Sequence, residues 1–263
     1  MKILPKTVFP SFLLVISLFG FGHTPLHRSD RAVKVIVIDA GHGGKDPGCH
    51  GAKVNERDIT LKVALNVGRL IKENLKDVKV IYTRSTDVFI PLHDRADIAN
   101  KNHADLFISI HCNSSPAKIN GSETYVMGLH TGEGNLEVAK RENSVILKEE
   151  NYMQKYDGFD PNSPLAHILF SNMQNAHLER SLNLAERIEG QFKNRMGRHS
   201  RGVRQAGFIV LWKTAMPSVL VEIGYLTDAK DEKYLKSDKG QDLISSAVFR
   251  AVRDYKAEME DDE

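Results

Sequence analysis

Two histidines stand just past runs of residues fit for buried β-strands. His42 follows residues 33–40 by way of Gly41, and His111 follows residues 105–110 directly. Glu222 closes a third such run at 218–221, and Glu56 immediately precedes a stretch of apolar residues at helical spacing. In open α/β sheets, ligands bind beyond the carboxyl ends of the strands. All four side chains therefore point to one rim. Two imidazoles and one carboxylate suit a tetrahedral zinc site with an open fourth position, and the remaining carboxylate is placed to move a proton. Taken singly, each residue has a plainer reading. His42 in a Gly-rich turn equally serves as a turn histidine or a phosphate-loop residue, although a Walker lysine and a Gly-x-Gly-x-x-Gly are both missing. His111 equally reads as a buried histidine bonded to backbone. Glu56 fits a solvated acid at a helix start, where the dipole favours it. Glu222 is less ordinary. It lies in an apolar run, where an unpaired carboxylate costs on the order of several kcal/mol or takes up a proton. A buried salt bridge is the alternative.

The elements that must position these residues follow from hydrophobic spacing. Residues 33–40 are a β-branched run suited to the interior of a parallel sheet. Ile59, Val63, Val67, Leu70, Ile71 and Leu75 recur at helical spacing and predict an amphipathic helix over 57–76. Further strands are expected at 78–83, 105–110, 124–127, 207–212 and 218–223. A helix is expected at 91–102, with Leu92, Ile98 and Ala99 inward, and a closing helix at 240–257 on Leu243, Ile244, Ala247, Val248 and Val252. Strands alternating with helices give a single α/β domain with a twisted, mostly parallel sheet flanked by helices. A charged segment at 129–205 interrupts that rhythm and reads as a helical insertion, with helices near 135–150 and 163–196. The acidic run 258–263 reads as a frayed tail.

Composition closes off other classes. The chain has 263 residues, 41% of them hydrophobic, which is too apolar for a disordered chain. Two cysteines cannot build a disulfide scaffold. Lys plus Arg is 36 against 34 Asp plus Glu, so nothing global favours nucleic acid. Lys2 and Lys6 precede an apolar stretch at 8–21, the pattern of a secretory signal. That stretch is shorter than the ~20 residues of a membrane-spanning helix. The expected organisation is a signal peptide at 1–24 with its cleavage point between 20 and 24, an uncleaved membrane anchor being the alternative, then a linker at 25–32 and a catalytic domain at 33–257. Export to the periplasm or cell envelope would allow Cys49 and Cys112 to pair, although spacing alone cannot show it.

Several separated motifs carry a resemblance. Val37-Ile-Asp-Ala-Gly-His-Gly-Gly-Lys-Asp-Pro-Gly48, Asn55-Glu56, Ser109-Ile-His-Cys-Asn113, Gly121-Ser-Glu-Thr-Tyr125 and Val219-Leu-Val-Glu-Ile-Gly-Tyr-Leu-Thr227 closely resemble the zinc-dependent N-acetylmuramoyl-L-alanine amidases of the type-3 family, in the family's order. The resemblance implies that His42, Glu56 and His111 bind one Zn2+ and that Glu222 is the catalytic acid/base. It implies hydrolysis of the amide between N-acetylmuramic acid and L-alanine in peptidoglycan, in wall remodelling or daughter-cell separation. Rival readings are an inactive wall-binding protein of the same fold and a different zinc peptidase. A Cys112 nucleophile is disfavoured, because neighbours on a strand face opposite ways.

Some members of the resembled family carry a helix over the zinc that an activator protein must displace. Lys140-Arg-Glu-Asn-Ser-Val-Ile-Leu147 is similar to that stretch. The expectation is a helix near 135–150 that restricts access, with Glu142 or Glu137 near the metal; a solvated surface helix is the alternative. Arg84 and Asn113 are expected near the rim, with Arg84 either orienting ligands or pairing with Asp87 or Asp94. Glu123 reads as a supporting acid or a strand-edge charge. His50, His93, His103 and His130 read as surface residues, and His167, His177 and His199 fall in the insertion.

Overall fold

Nearly every side chain from Val35 to Ala40 is apolar, so the segment forms a strand only where both of its faces are covered. The computed structural model supplies that cover. It describes residues 32–129, 132–171 and 176–261; the signal segment 1–24, nearly all of the linker and His130 lie outside them. In chain order the elements are β1 (Val35–Ala40), α1 (Glu56–Asn74), β2 (Lys79–Tyr82), α2 (Leu92–Lys101), β3 (Leu106–Asn113), β4 (Ser122–Met127) and α3 (Glu133–Asn143). A 3-10 turn at Ser144–Lys148 leads into α4 (Tyr152–Lys155), α5 (Pro164–Ser171), α6 (Leu178–Asn194), β5 (Ser200–Ala206), α7 (Ile209–Trp212), β6 (Ser218–Tyr225), α8 (Ala229–Leu235) and α9 (Asp238–Asp261).

The six strands form one sheet in the order β2-β1-β3-β6-β4-β5. All neighbouring pairs are parallel except β4 with β6. Alternate residues serve opposite faces. Ile36, Ile38, Leu106, Ile108, Ile110, Val219 and Val221 pack under α1, α6 and α9, while Val37, Phe107, Tyr125 and Leu220 pack with α2, α7 and the segment 138–146. The apolar stripe Ile59, Val63, Val67 and Ile71 seats α1 on its face. Among the described residues, no helix is long and apolar enough to cross a membrane.

The α/β class with a mostly parallel sheet is as the sequence predicts, and several individual elements differ. The expected strand at 207–212 is instead the last residue pair before, and the whole of, the short helix Ile209–Trp212, because a brief apolar run without period suits either state. The real strand, β5, is Ser-Arg-Gly-Val-Arg-Gln-Ala, which reads as polar insertion because it is a half-exposed edge strand carrying charge. The closing helix also continues through Asp261, into the acidic run.

Candidate metal centre

The site grows from the ends of β1, β3 and β6. After Ala40 the chain turns sharply: His42 has φ +61°, in the left-handed region that a non-glycine residue occupies at a cost. The turn is held by reciprocal backbone bonds between Gly43 and Asp46, at 2.9 and 3.0 Å. It brings the His42 ring over the sheet, where Nδ1 bonds Asp46 Oδ2 at 2.7 Å. His111 arrives from β3, and its ring lies so close to Gly41 that a Cβ there would fall 2.5 Å from it. Glu56 is the first residue of α1, and both its oxygens are aimed by backbone: Cys49 N–H donates to Oε2 and Cys112 N–H to Oε1, each at 2.8 Å.

The structure brings these three together and adds a fourth. His42 Nε2 lies 3.0 Å from Glu56 Oε1, and His111 Nδ1 lies 3.1 Å from the same oxygen. Glu142, on the last turn of α3, places Oε2 3.3 Å from His42 Nε2 and 3.2 Å from His111 Nδ1. One ligand atom from each of the four lies within 4.8 Å of every other, and all four residues are buried. His42 Nε2 and Glu142 Oε2 make no aligned hydrogen bond despite these distances. Buried polar atoms are rarely left so. Two imidazoles and two carboxylates converging on one point form a donor set that could hold a metal ion.

The electrostatics express the same crowding. Burial opposes ionisation of Glu56, but the facing His42 draws its carboxyl down to about 2. Burial opposes charge on His111, but Glu142 and Glu56 lift the imidazole to about 9. Glu222 differs. Its register neighbours are His111 on β3 and Glu123 on β4, so it sits on the same sheet face as the cluster. Burial, and then the Glu142 carboxylate, raise it well above the usual carboxylate range. Neither of its oxygens has a hydrogen-bond partner among the described residues; the nearest cation, Arg141 Nη2, stands 3.6 Å away.

The remaining sequence candidates find specific places. Arg84 is buried and pairs with neither Asp87 nor Asp94: it donates to the carbonyls of Ala40, Gly41 and Arg57 and so braces the His42 turn. Asn113 Nδ2 donates to Glu123 and its Oδ1 accepts from Arg141. Cys112 packs into the core on the opposite face from His111, and both cysteines are free thiols. Glu137 is two-thirds exposed and pairs with Lys140, so of the two insertion glutamates only Glu142 reaches the cluster. His167, in the insertion, is buried and bonds the Pro161 carbonyl.

Sequence reasoning passed over Asp46, Arg95 and Arg141. Asp46 carried a signal, lying four residues after His42. Arg95 sits on the apolar face of α2, fully buried, and donates to Asp39 Oδ1 and to the Ala40 and His42 carbonyls, each at 2.8 Å. Nothing local marks Arg141, whose partners are all distant in sequence except Glu142.

A family model described as N-acetylmuramoyl-L-alanine amidase matches residues 36–254. The N-acetylmuramoyl-L-alanine amidase AmiA of Escherichia coli strain K12 is 33% identical over 89% of this chain and 80% of its own length. The catalytic domain of the amidase CwlV from Bacillus (Paenibacillus) polymyxa superposes with a TM-score of 0.56 at 31% identity, covering 84% of this chain and 97% of that one. The N-acetylmuramoyl-L-alanine amidase of Clostridium difficile 630 shares the fold, with a TM-score of 0.63 at 24% identity over 85% of this chain and 97% of the other.

Proposed function

The chain belongs to the N-acetylmuramoyl-L-alanine amidase family of hydrolases, and on that premise we propose that it uses one zinc ion to cleave the amide joining N-acetylmuramic acid to L-alanine in peptidoglycan. The observation that carries this reading is the buried convergence of His42, Glu56 and His111 beside Glu222. Zinc, when bound there, supplies the Lewis acidity that activates a water and polarises the amide carbonyl. The protein's own groups do the rest. Asp46 accepts from His42 Nδ1 and leaves Nε2 its lone pair. The backbone N–H groups of Cys49 and Cys112 fix the Glu56 carboxylate. Glu222 accepts a proton from the attacking water and delivers it to the departing alanine nitrogen, which otherwise leaves as a very poor anion. Burial, with the Glu56 carboxylate that stays in place when α3 is lifted, gives Glu222 the proton affinity this shuttle needs.

The segment around α3 is, in the same reading, a gate. Glu142 Oε2 stands against both His42 and His111, and Arg141 sits beside Glu222, so two adjacent residues engage the metal site and the acid/base together. An activator protein that lifts α3 would free both. The basic and apolar N-terminal run fits export to the compartment where the wall lies.

The test is hydrolysis of purified peptidoglycan with and without a chelator. Free stem peptides beginning in L-alanine, lost on chelation and restored by zinc, are expected. Fragments cut elsewhere would favour another zinc peptidase, and wall binding without cleavage would favour an inactive binding protein.

A further inference from the structure

Beside Glu222 lies a second feature that the zinc chemistry does not use. A cavity of about 310 Å³ opens between the loop after β3, the strands β4 and β5, and α3. Its floor is Glu123, which the β4–β6 ladder sets directly opposite Glu222. Glu123 is buried and saturated. It accepts from Asn113 Nδ2 at 2.6 Å, Tyr225 Oη at 2.7 Å, Tyr125 Oη at 3.1 Å and Arg204 Nε at 2.7 Å, and Arg201 Nε lies 3.5 Å away. Both arginines stand on the exposed face of β5, roughly a quarter to a third exposed, and line the cavity. Arg201 also lies over the Tyr225 ring. Glu123 bonds Arg204 through Nε, whereas Arg201 Nε is buried without a hydrogen bond and stands in ion-pair range only; among the described residues no protein group bonds the Nη atoms of either. With Arg141 and Glu137 of α3 also on the lining, three guanidinium groups stand against two carboxylates, so the cavity keeps one net positive charge, and the Nη donors of Arg201 and Arg204 are left without a protein partner among the described residues. A guanidinium held in this way matches a carboxylate in geometry as well as charge.

We propose that this cavity receives a free carboxylate of the peptide on the leaving side of the scissile amide, with Arg201 and Arg204 as its counter-charges; this rests on the amidase reading above. The chemistry of the substrate selects the occupant. N-acetylated sugars carry no charge, and the lactyl carboxyl is consumed in the amide, so the anionic groups of peptidoglycan lie in its peptides. A cationic cavity next to the acid/base therefore orients the peptide half, and the uncharged glycan runs to the other side of the metal cluster. Because Gly134, Asn135, Glu137, Val138 and Arg141 of α3 line the cavity, lifting α3 removes the Glu137 carboxylate from it and opens this subsite together with the metal site.

The experiment titrates the full chain, in zinc-containing buffer, with L-Ala-D-Glu and with the same dipeptide amidated at both carboxyls. Wild type and Glu142→Ala are both used, and turnover of an N-acetylmuramoyl dipeptide is followed in parallel. The acidic dipeptide is expected to bind roughly tenfold or more tightly than the diamide in at least one of the two proteins. Arg201→Gln and Arg204→Gln should erase that preference without weakening the diamide. Because Arg204 balances buried Glu123, Arg204→Lys serves as a folded control and should keep part of the preference. Equal affinity for the two dipeptides, a preference that survives both Gln variants, or no measurable binding of either at millimolar concentration overturns the proposal. Preference without turnover would sink the amidase reading and leave the anionic subsite standing.

Discussion

The chemistry of individual side chains turns on which partner each buried group answers to. His42 has a left-handed backbone, two carboxylates near Nε2 and Asp46 on Nδ1. Removing Asp46 leaves the ring free to rotate and to take the wrong tautomer. Asp46→Ala should therefore weaken zinc binding about 10–100-fold, read by competition with a chromophoric chelator; unchanged affinity would show that the turn alone orients His42. A second buried pair underlies the turn. Burial alone would raise the Asp39 carboxyl, but Arg95, with the hydroxyls of Ser109 and Thr83, holds it below its ordinary value of 3.8. A depressed carboxylate contributes its stability above the unfolded pKa and loses it as pH falls through the folded one. Asp39→Asn breaks the pair, at a cost of about 3–5 kcal/mol at neutral pH. The gap in urea stability between wild type and variant should narrow as pH drops below ~4. A gap that widens on acidification would contradict this assignment.

At the level of elements, the proposed gate rests on α3 and the turn after it. Their polar fastenings reach four separate places: Arg141 to Asn113, Asn143 to the Gly207 carbonyl and the Ile209 N–H, Lys148 to Asp46, and Glu149 to the Leu92 N–H. Val138, Ala139, Val145 and Ile146 are buried against the core. Lifting the segment would expose these side chains, so an open state of the proposed kind would need a partner to cover them. Glu142→Ala removes the contact with the cluster but leaves the apolar docking intact. It should raise wall hydrolysis about 5–150-fold, the usual range of a single coupling interaction. Deleting roughly 130–165 should raise it further, provided circular dichroism shows the chain folded. Unchanged or lower activity in both would mean that the helix is simply part of the surface. Its place was legible in the break of the strand–helix rhythm at 129–205. The edge strand β5 was not, because an edge strand needs little apolar character and its order is set by pairing with β4.

At the scale of the whole molecule, the sheet order is what assembles a site from residues scattered between positions 42 and 222. Parallel pairing of β1 with β3 and of β3 with β6 aligns three carboxyl ends, and register alone makes His111 and Glu222 neighbours. That convergence was readable because strand runs ending in His or Glu are local patterns and the topology of parallel sheets is restricted. Asp46, Arg95 and Arg141 were less readable because their partners come from packing and not from pattern. Arg95, for instance, is one charge on an otherwise ordinary helix until Asp39 is folded beneath it. The central claim, that His42, Glu56 and His111 share one ion which Glu222 serves without binding, is tested most directly by zinc content and turnover measured side by side. Wild type should carry one zinc per chain. His111→Ala should lose both metal and activity, while Glu222→Gln should keep the metal and lose activity about 10²–10⁴-fold. A His111→Ala protein that retains its zinc, or a Glu222→Gln protein that turns over normally, would contradict the account.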